Sequence, residues 1–464
     1  MSYMISVPSL QRRSSGSNLL LLLIVLILAG CTPRAVPTRP DDQVTKQRDS
    51  RRVIDPETGK EIEVLTDEPI DSMRIRRTTD KAVITDEQYG LGSDSPSDYL
   101  KERYTIAFLA PLGSAGLDTA NFETGRDMKY LRYYEGMSLS AQRKLDQGMR
   151  FEIDVYDTQE NPVTDLLASK RLEDYDLIIG GESSEEVTAL RDYAFRQKVN
   201  YASPWKSVRG AERNVHYLEL SPGILPQFSF ISEHLESHHD MSQVHLVVKA
   251  GDENRLRPFQ TYIKSLRGPG SSTYDEIIIS DDTYTMEEVD LEPYFIRDGT
   301  TVFVLPYITG EFFRTFLRKL KSVKGENDVL VYGLHHWLGN ERIDYDYYES
   351  LGIRLASWYY PTYGNLWQNY VDTYYEQYGL VPSSTDAVEG YDHTSFLLDM
   401  LESYGTHLPS YTKDGPYAAL FHHFEIQAIM GASNRTDGFN QPDLYQNRAL
   451  RMIGVAEGRF VEYD

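Results

Sequence analysis

One stretch constrains the fold more than any other: Tyr175 to Trp205, YDLIIGGESSEEVTALRDYAFRQKVNYASPW. Asp176-Leu177-Ile178-Ile179 is a short apolar run without polar alternation, the pattern of a strand buried on both faces. Gly180-Gly181 ends it. Ser183 then opens a helix with Glu186 three residues on, which is capping-box spacing. Val187, Leu190 and Ala194 follow at helical spacing, and a second short strand near 199–202 stops at Ser203-Pro204. Strand, helix and strand so close together specify a parallel sheet with a right-handed crossover. Ligands of such sheets bind beyond the carboxyl ends of the strands, so the loops at 181–184 and 203–205 become candidate site walls.

The same grammar runs on both sides of this unit. Residues 105–110 form another strand buried on both faces, followed by a long polar loop at 115–126. A helix then places Leu131, Tyr134, Ser138, Ala141 and Leu145 on one face, with Gly148 beyond it as a cap. Phe151–Asp157 alternates as a strand. At Ser221-Pro222-Gly223 the pattern restarts, with strands expected at 244–248, 276–279, 301–305 and 329–333. A helix from Glu311 carries Phe312, Phe313, Phe316, Leu317 and Leu320. Residues 355–363 return to the first lobe and lead into a helix with Trp367, Tyr370, Tyr374 and Tyr378 on one side. A further helix starts at Asp386 with Glu389 at its third position, and the strand-rich tail is assigned to the second lobe. The expected fold is α/β: two doubly wound lobes, parallel sheets flanked by helices, with a hinge and a central cleft. The expected boundaries are 101–221 plus 362–410 and 222–361 plus 411–464.

Composition narrows the function. A formal net charge of -23 disfavours nucleic acid, because phosphate binding needs a basic surface. There is no P-loop, no Gly-x-Ser-x-Gly and no dinucleotide fingerprint followed by an acidic residue, so no cofactor and no enzyme activity are expected. His234 and His238 are four apart, but Leu235-Glu236-Ser237 between them do not make the zincin pattern, so no metal is expected either. The N-terminus carries Arg12 and Arg13 before an apolar run from Leu19 to Ala29, too short for a span and right for a signal-peptide core. Leu28-Ala29-Gly30-Cys31 resembles the lipobox of bacterial lipoproteins. That resemblance implies removal of residues 1–30 and acylation of Cys31, the single cysteine. The expected location is therefore the cell envelope, lipid-anchored at the outer membrane and facing the periplasm. Residues 31–100 read as a disordered tether; the runs at 52–54 and 61–65 leave a small hairpin or a docking segment for another protein open.

Four segments, taken in order, resemble the type I periplasmic solute-binding proteins of the branched-chain amino-acid receptor type. They are 106–114; Tyr133-Tyr134-Glu135-Gly136-Met137 through Asp157-Thr158; 176–184; and Val388-Glu389-Gly390-Tyr391-Asp392. Val331-Tyr332-Gly333, Trp337-Leu338 and Gly438-Phe439-Asn440 also resemble lipoproteins of Bacteroidota with this fold. The resemblance implies that Ser183 or Ser184 offers a ligand carboxylate a hydroxyl and backbone N–H groups at a helix N-terminus. The sequence departs from that pattern, since Glu182, Glu185 and Glu186 already load the terminus and Ser183 serves its own cap. Further cleft candidates are Ser114, Ser203 and Trp205 on the first lobe, and Asp252, Tyr307, Glu311, His336 and Tyr360 on the second. The expected function is binding of a small polar solute (amino acid, peptide or cell-wall fragment) between the lobes. The alternative is a non-transport scaffold or regulator with a degenerate cleft, contacting a cell-envelope enzyme or secretion complex.

Overall fold

Strands buried along their whole length alternate with helices through most of the chain, as a parallel sheet covered on both faces requires. The computed structural model describes residues 50–54, 61–65, 99–113, 127–208, 213–267, 275–279, 288–308, 310–338, 345–382, 384–413, 415–430 and 442–463, with single positions 286 and 343. The chain divides into two units, Met1–Arg76 and Arg77–Asp464.

In the first unit, β1 (Ser50–Ile54) and β2 (Glu61–Leu65) pair antiparallel, with Val53 opposite Ile62. These residues thus pair as the small hairpin that the sequence leaves open. The lipobox and Cys31 lie outside the described residues.

The second unit holds two sheets. β3 (Tyr104–Ala110), β4 (Phe151–Asp157), β5 (Leu177–Gly180), β6 (Asn200–Ser203) and β7 (Tyr217–Glu219) form the first, in the parallel order β4-β3-β5-β6-β7. β8 (Val244–Lys249), β9 (Asp275–Ile279), β10 (Thr301–Val304), β11 (Val329–Leu334) and β12 (Ile353–Ser357) repeat it as β9-β8-β10-β11-β12. A small pair, β13 (Tyr417–Ala418) and β14 (His423–Phe424), precedes the tail. There β15 (Ile426–Ile429) and β16 (Leu444–Asn447) join the first sheet beside β7. Only β17 (Arg451–Ala456) and β18 (Arg459–Tyr463) join the second, antiparallel to β12 and to each other. The tail thus serves both lobes, not the second alone: its first half pairs across more than 200 residues, which no local pattern announces. Consequently the chain passes between lobes at 220–223, 358–364 and 448–450.

Each lobe has its own core. In the second, Phe303, Phe313, Phe316, Tyr332 and Trp337 are fully buried between the sheet and its helices. In the first, Phe108, Tyr133 and Tyr445 cover one sheet face, and Leu109, Ile178, Tyr201 and Tyr217 the other. A fourth cluster of Tyr359, Tyr370, Tyr374, Leu420 and Phe421 fills the ground between the helix Asn365–Tyr378 and the crossing segments.

Candidate functional site

Two first-lobe helices, Asp127–Asp146 and Thr385–Tyr404, run side by side in the same direction: Tyr133 meets His393, Ser140 meets Ser395, and Lys144 meets Glu402. Two glycines let their backbones touch. A Cβ at Gly136 would lie 1.7 Å from the Ala387 carbonyl oxygen, and one at Gly390 2.0 Å from that of Tyr133. The N-terminal turns are thereby held together, with Lys129 and Tyr130 on one and Asp386 and Glu389 on the other.

Beneath them lies a polar floor. The Asp392 carboxylate, 0% exposed, accepts the N–H groups of Leu420 at 2.8 Å, Phe421 at 2.9 Å and His422 at 2.9 Å, and pairs with His422 Nδ1 at 2.9 Å. The clamped segment pairs in turn with the second crossing: Tyr360 N–H donates to Phe421 C=O at 2.8 Å, and His423 N–H to Trp358 C=O at 3.2 Å. This carboxylate thus ties the helix to a segment that itself pairs with the second crossing.

Above the floor, charged and aromatic residues of the two lobes come within electrostatic reach of each other. His336 follows β11 on the second lobe, and its ring is exposed. Burial nevertheless lowers its pKa to about 4, and the charges of Lys129 and Lys206 push the same way. Both lysines belong to the first lobe, so their charges reach His336 from across the lobes. Trp205, half-buried, stands edge-on to Tyr130 (4.9 Å) and Tyr133 (5.0 Å). Lys129 Nζ rides over the Tyr130 ring at 5.4 Å and the Trp205 ring at 5.7 Å. The Trp205 indole N–H is buried without a hydrogen-bond partner, and neither Lys129 nor Lys206 has an ion-pair partner among the described residues.

Glu389 lies in the N-terminal part of the helix Thr385–Tyr404. Burial raises its pKa to about 7 against the pull of His422 and Lys129, and Asp386 and Asp392 add to the rise. Burial raises Asp386 as well. Among the described residues the Glu389 side chain makes no hydrogen bond or ion pair. A carboxyl whose pKa is higher folded than unfolded costs stability as pH climbs from the ordinary carboxylate range through the folded value. Glu389→Gln should therefore match the wild type at pH 4 and exceed it at pH 8, by about 1–3 kcal/mol. Chemical denaturation at the two pH values measures this; equal stability at pH 8 would contradict the buried, unpaired carboxyl.

Solved structures give this arrangement a context. A substrate-binding protein of an ABC transporter from Desulfitobacterium hafniense, in complex with leucine, is 18% identical, with TM-score 0.50 over 78% of this chain and 100% of its own. The fold is the type I periplasmic-binding fold. Full-length LpoA from Haemophilus influenzae is similar at 10% identity and TM-score 0.51, over 78% of this chain and 59% of its own. The LpoA C-domain, described as a regulator of PBP1A, is matched over its whole length at 11% identity and TM-score 0.50. No protein-family model matches the chain, and a search of curated proteins finds no relative.

Within this periplasmic-binding fold the expected site residues part company. Trp205 stands with Tyr130, Tyr133 and Lys129, and His336 with His335 and Trp358 under the charges of Lys129 and Lys206. Ser183 is consumed by the capping box: it accepts Glu186 N–H at 3.1 Å, and its own N–H meets the Glu186 carboxylate. Ser184 is exposed, and its carbonyl takes the Thr188 hydroxyl. The Ser203 hydroxyl, buried, donates to Lys206 C=O at 2.7 Å and so shapes the turn that carries Trp205. Tyr307 is a core residue, 3% exposed: its hydroxyl accepts Lys249 N–H and its carbonyl accepts the Trp337 indole N–H, each at 2.7 Å. Asp252 caps the helix Glu253–Arg267 through its carbonyl, and Glu311 begins the helix Glu311–Val323 paired with Arg314. Tyr360 lies in the second crossing under Arg451. Ser114 and the loop at 115–126 lie outside the described residues. Since Ser183 caps a helix, Ser183→Ala should cost about 1 kcal/mol in a denaturant titration, and a much smaller loss would contradict the cap.

Proposed function

We propose that the protein is a lipid-anchored binding protein of the cell envelope that closes its lobes on a small polar solute: an amino acid, a peptide or a cell-wall fragment. The observation that carries this reading is a set of cations and rings shared by the two lobes: Lys129 and Lys206 of the first act on the His336 ring of the second, and Lys129 Nζ lies over the Trp205 ring. Lysines without an ion-pair partner among the described residues would meet a ligand carboxylate. Such a ligand shifts lobe closure only through contacts made better in the closed state, which groups from both lobes allow. The leucine complex of the similar transporter protein supports the same reading. A thermal-shift and calorimetry screen against amino acids, peptides and muropeptides tests it, with Trp205→Ala and Lys129→Ala expected to abolish any shift. A protein that binds nothing in this panel is not a solute receptor of the proposed kind.

A second reading has its own support. The hydroxyl that the resemblance assigns to a ligand carboxylate is occupied by its cap, and LpoA is as similar in TM-score as the receptor. The protein would then regulate an envelope enzyme from its anchor, its interlobe space no longer serving a solute. Co-purification of a cell-wall synthase, insensitive to Trp205→Ala, is the expected result for that case.

A further inference from the structure

Asn447 ends β16, and its side chain is fully buried. Its amide uses both donors and both acceptor positions on backbone groups. Nδ2 donates to Leu220 C=O at 2.9 Å and to His423 C=O at 2.9 Å. Oδ1 accepts Glu425 N–H at 2.9 Å and Ala449 N–H at 3.0 Å. Leu220 opens the first crossing between the lobes, and Ala449 lies in the third. His423 donates its own N–H to Trp358 C=O at 3.2 Å in the second. One side chain of the first lobe is thus bound to two crossings directly and to the remaining one through a single residue.

Other bonds hold the crossings to the same lobe. The Ser221 hydroxyl donates to Pro204 C=O at 2.6 Å, and Arg448 N–H to Glu425 C=O at 2.8 Å. Second-lobe structure begins at the helix Ile224–His238 and at the register pair Ser357–Arg451. The second lobe's hold on the second crossing is made by a side chain: the His335 ring stacks on Trp358 at 3.6 Å and bonds to the Ser357 hydroxyl at 2.7 Å.

We infer that Asn447 is the positioning residue of the hinge. It makes the three crossings part of the first lobe's rigid body, so that the second lobe turns at 222–223, 357–358 and 449–450. Hinges confine large backbone changes to a few residues at the ends of elements. A fully satisfied buried polar group supplies the rigidity on the other side of those residues. The inference stands apart from the question of what occupies the space between the lobes.

The test is the distance distribution between spin labels at Glu185→Cys and Arg318→Cys, one exposed site on each lobe, read by double electron–electron resonance on the full chain with Cys31→Ser. In folded Asn447→Ala the distribution should widen about twofold or more. Asn447→Asp keeps both acceptor bonds and loses both donors, so it should widen the distribution by releasing Leu220 and His423. Gln446→Ala is the control: its amide, also buried, bonds to Glu219 within the first lobe, and the width should stay at the wild-type value. An amide that served stability alone would lower the denaturation midpoint and leave every width as in the wild type. Wild-type width in folded Asn447→Ala, or equal widening in Gln446→Ala, overturns the inference. Should neither Asn447 variant fold, hydrogen exchange on the wild type decides. The Glu425 and Ala449 amides should exchange as slowly as those of Tyr445 and Gln446 in β16, and fast exchange there overturns it.

Discussion

Replacing Asp392 with alanine is expected to destabilise the protein by about 3–5 kcal/mol. The side chain is fully buried and is the acceptor for three consecutive backbone N–H groups, those of Leu420, Phe421 and His422, and for the His422 ring. Alanine leaves all four donors in place and away from water. Each buried donor left unsatisfied costs about 1–3 kcal/mol, and relaxation or an entering water recovers part of the sum. Asp392→Asn keeps the shape and one acceptor oxygen but turns an amide N–H₂ toward backbone N–H groups. Its loss should fall between those of alanine and the wild type. Urea or guanidinium midpoints for the three proteins measure the series. An alanine variant within about 1 kcal/mol of wild type would mean that the crossing segment is held by its own pairing and not by this carboxylate. The effect should not stay local, because the same segment pairs with Trp358 and Tyr360 on the way to the second lobe. Hydrogen exchange at 420–423 and 358–360 should quicken together.

How far the sequence speaks depends on the range of the interaction. The unit from Tyr175 to Trp205 was legible because its signals are local: an apolar run, a glycine stop, a capping box three residues wide. The two-lobed α/β fold followed from the repetition of that unit. The helix Asp127–Asp146 was legible as a helix, but its buried face was not. The sequence favours Leu131, Tyr134, Ser138, Ala141 and Leu145; the structure buries Tyr130, Tyr133, Met137, Ser140 and Lys144, and exposes Leu145. Polar residues occupy the inner face because the partner helix supplies Ser395, Asp399 and Glu402 to meet them. Hydrophobic periodicity cannot see a partner some 250 residues away. The same blindness hid Lys129 and Glu389. Trp205 and His336 stand out as polar-tipped rings at strand ends, whereas Glu389 reads as an ordinary first-turn residue and Lys129 as the end of a polar loop. One signal was there: Glu135-Gly136 on one helix and Glu389-Gly390 on the other, a glycine in each where the two backbones touch.

Gly136→Ala and Gly390→Ala put that signal to a decisive test, because two effects of opposite sign compete. In a helix interior, glycine to alanine should stabilise by about 1 kcal/mol through backbone entropy. Here the added methyl would sit 1.7 Å from the Ala387 carbonyl oxygen at Gly136, and 2.0 Å from that of Tyr133 at Gly390. Both obstacles are backbone, so no side chain can rotate aside, and the helices must separate by more than an ångström. Overpacking of this kind costs about 1–3 kcal/mol where side chains can give way, and more where only backbone can. A net loss of about 2–4 kcal/mol is expected for either variant. Because one separation relieves both clashes, the double variant should lose less than the sum of the singles, a coupling of neighbouring sites. The same separation shifts the helix that carries Tyr130 and Tyr133, the rings standing edge-on to Trp205, so indole fluorescence from Trp205 should shift in variants that remain folded. A stabilised Gly136→Ala protein would show that backbone entropy alone governs the position. In that case the two helices would not be held side by side by the close approach of their backbones at these glycines.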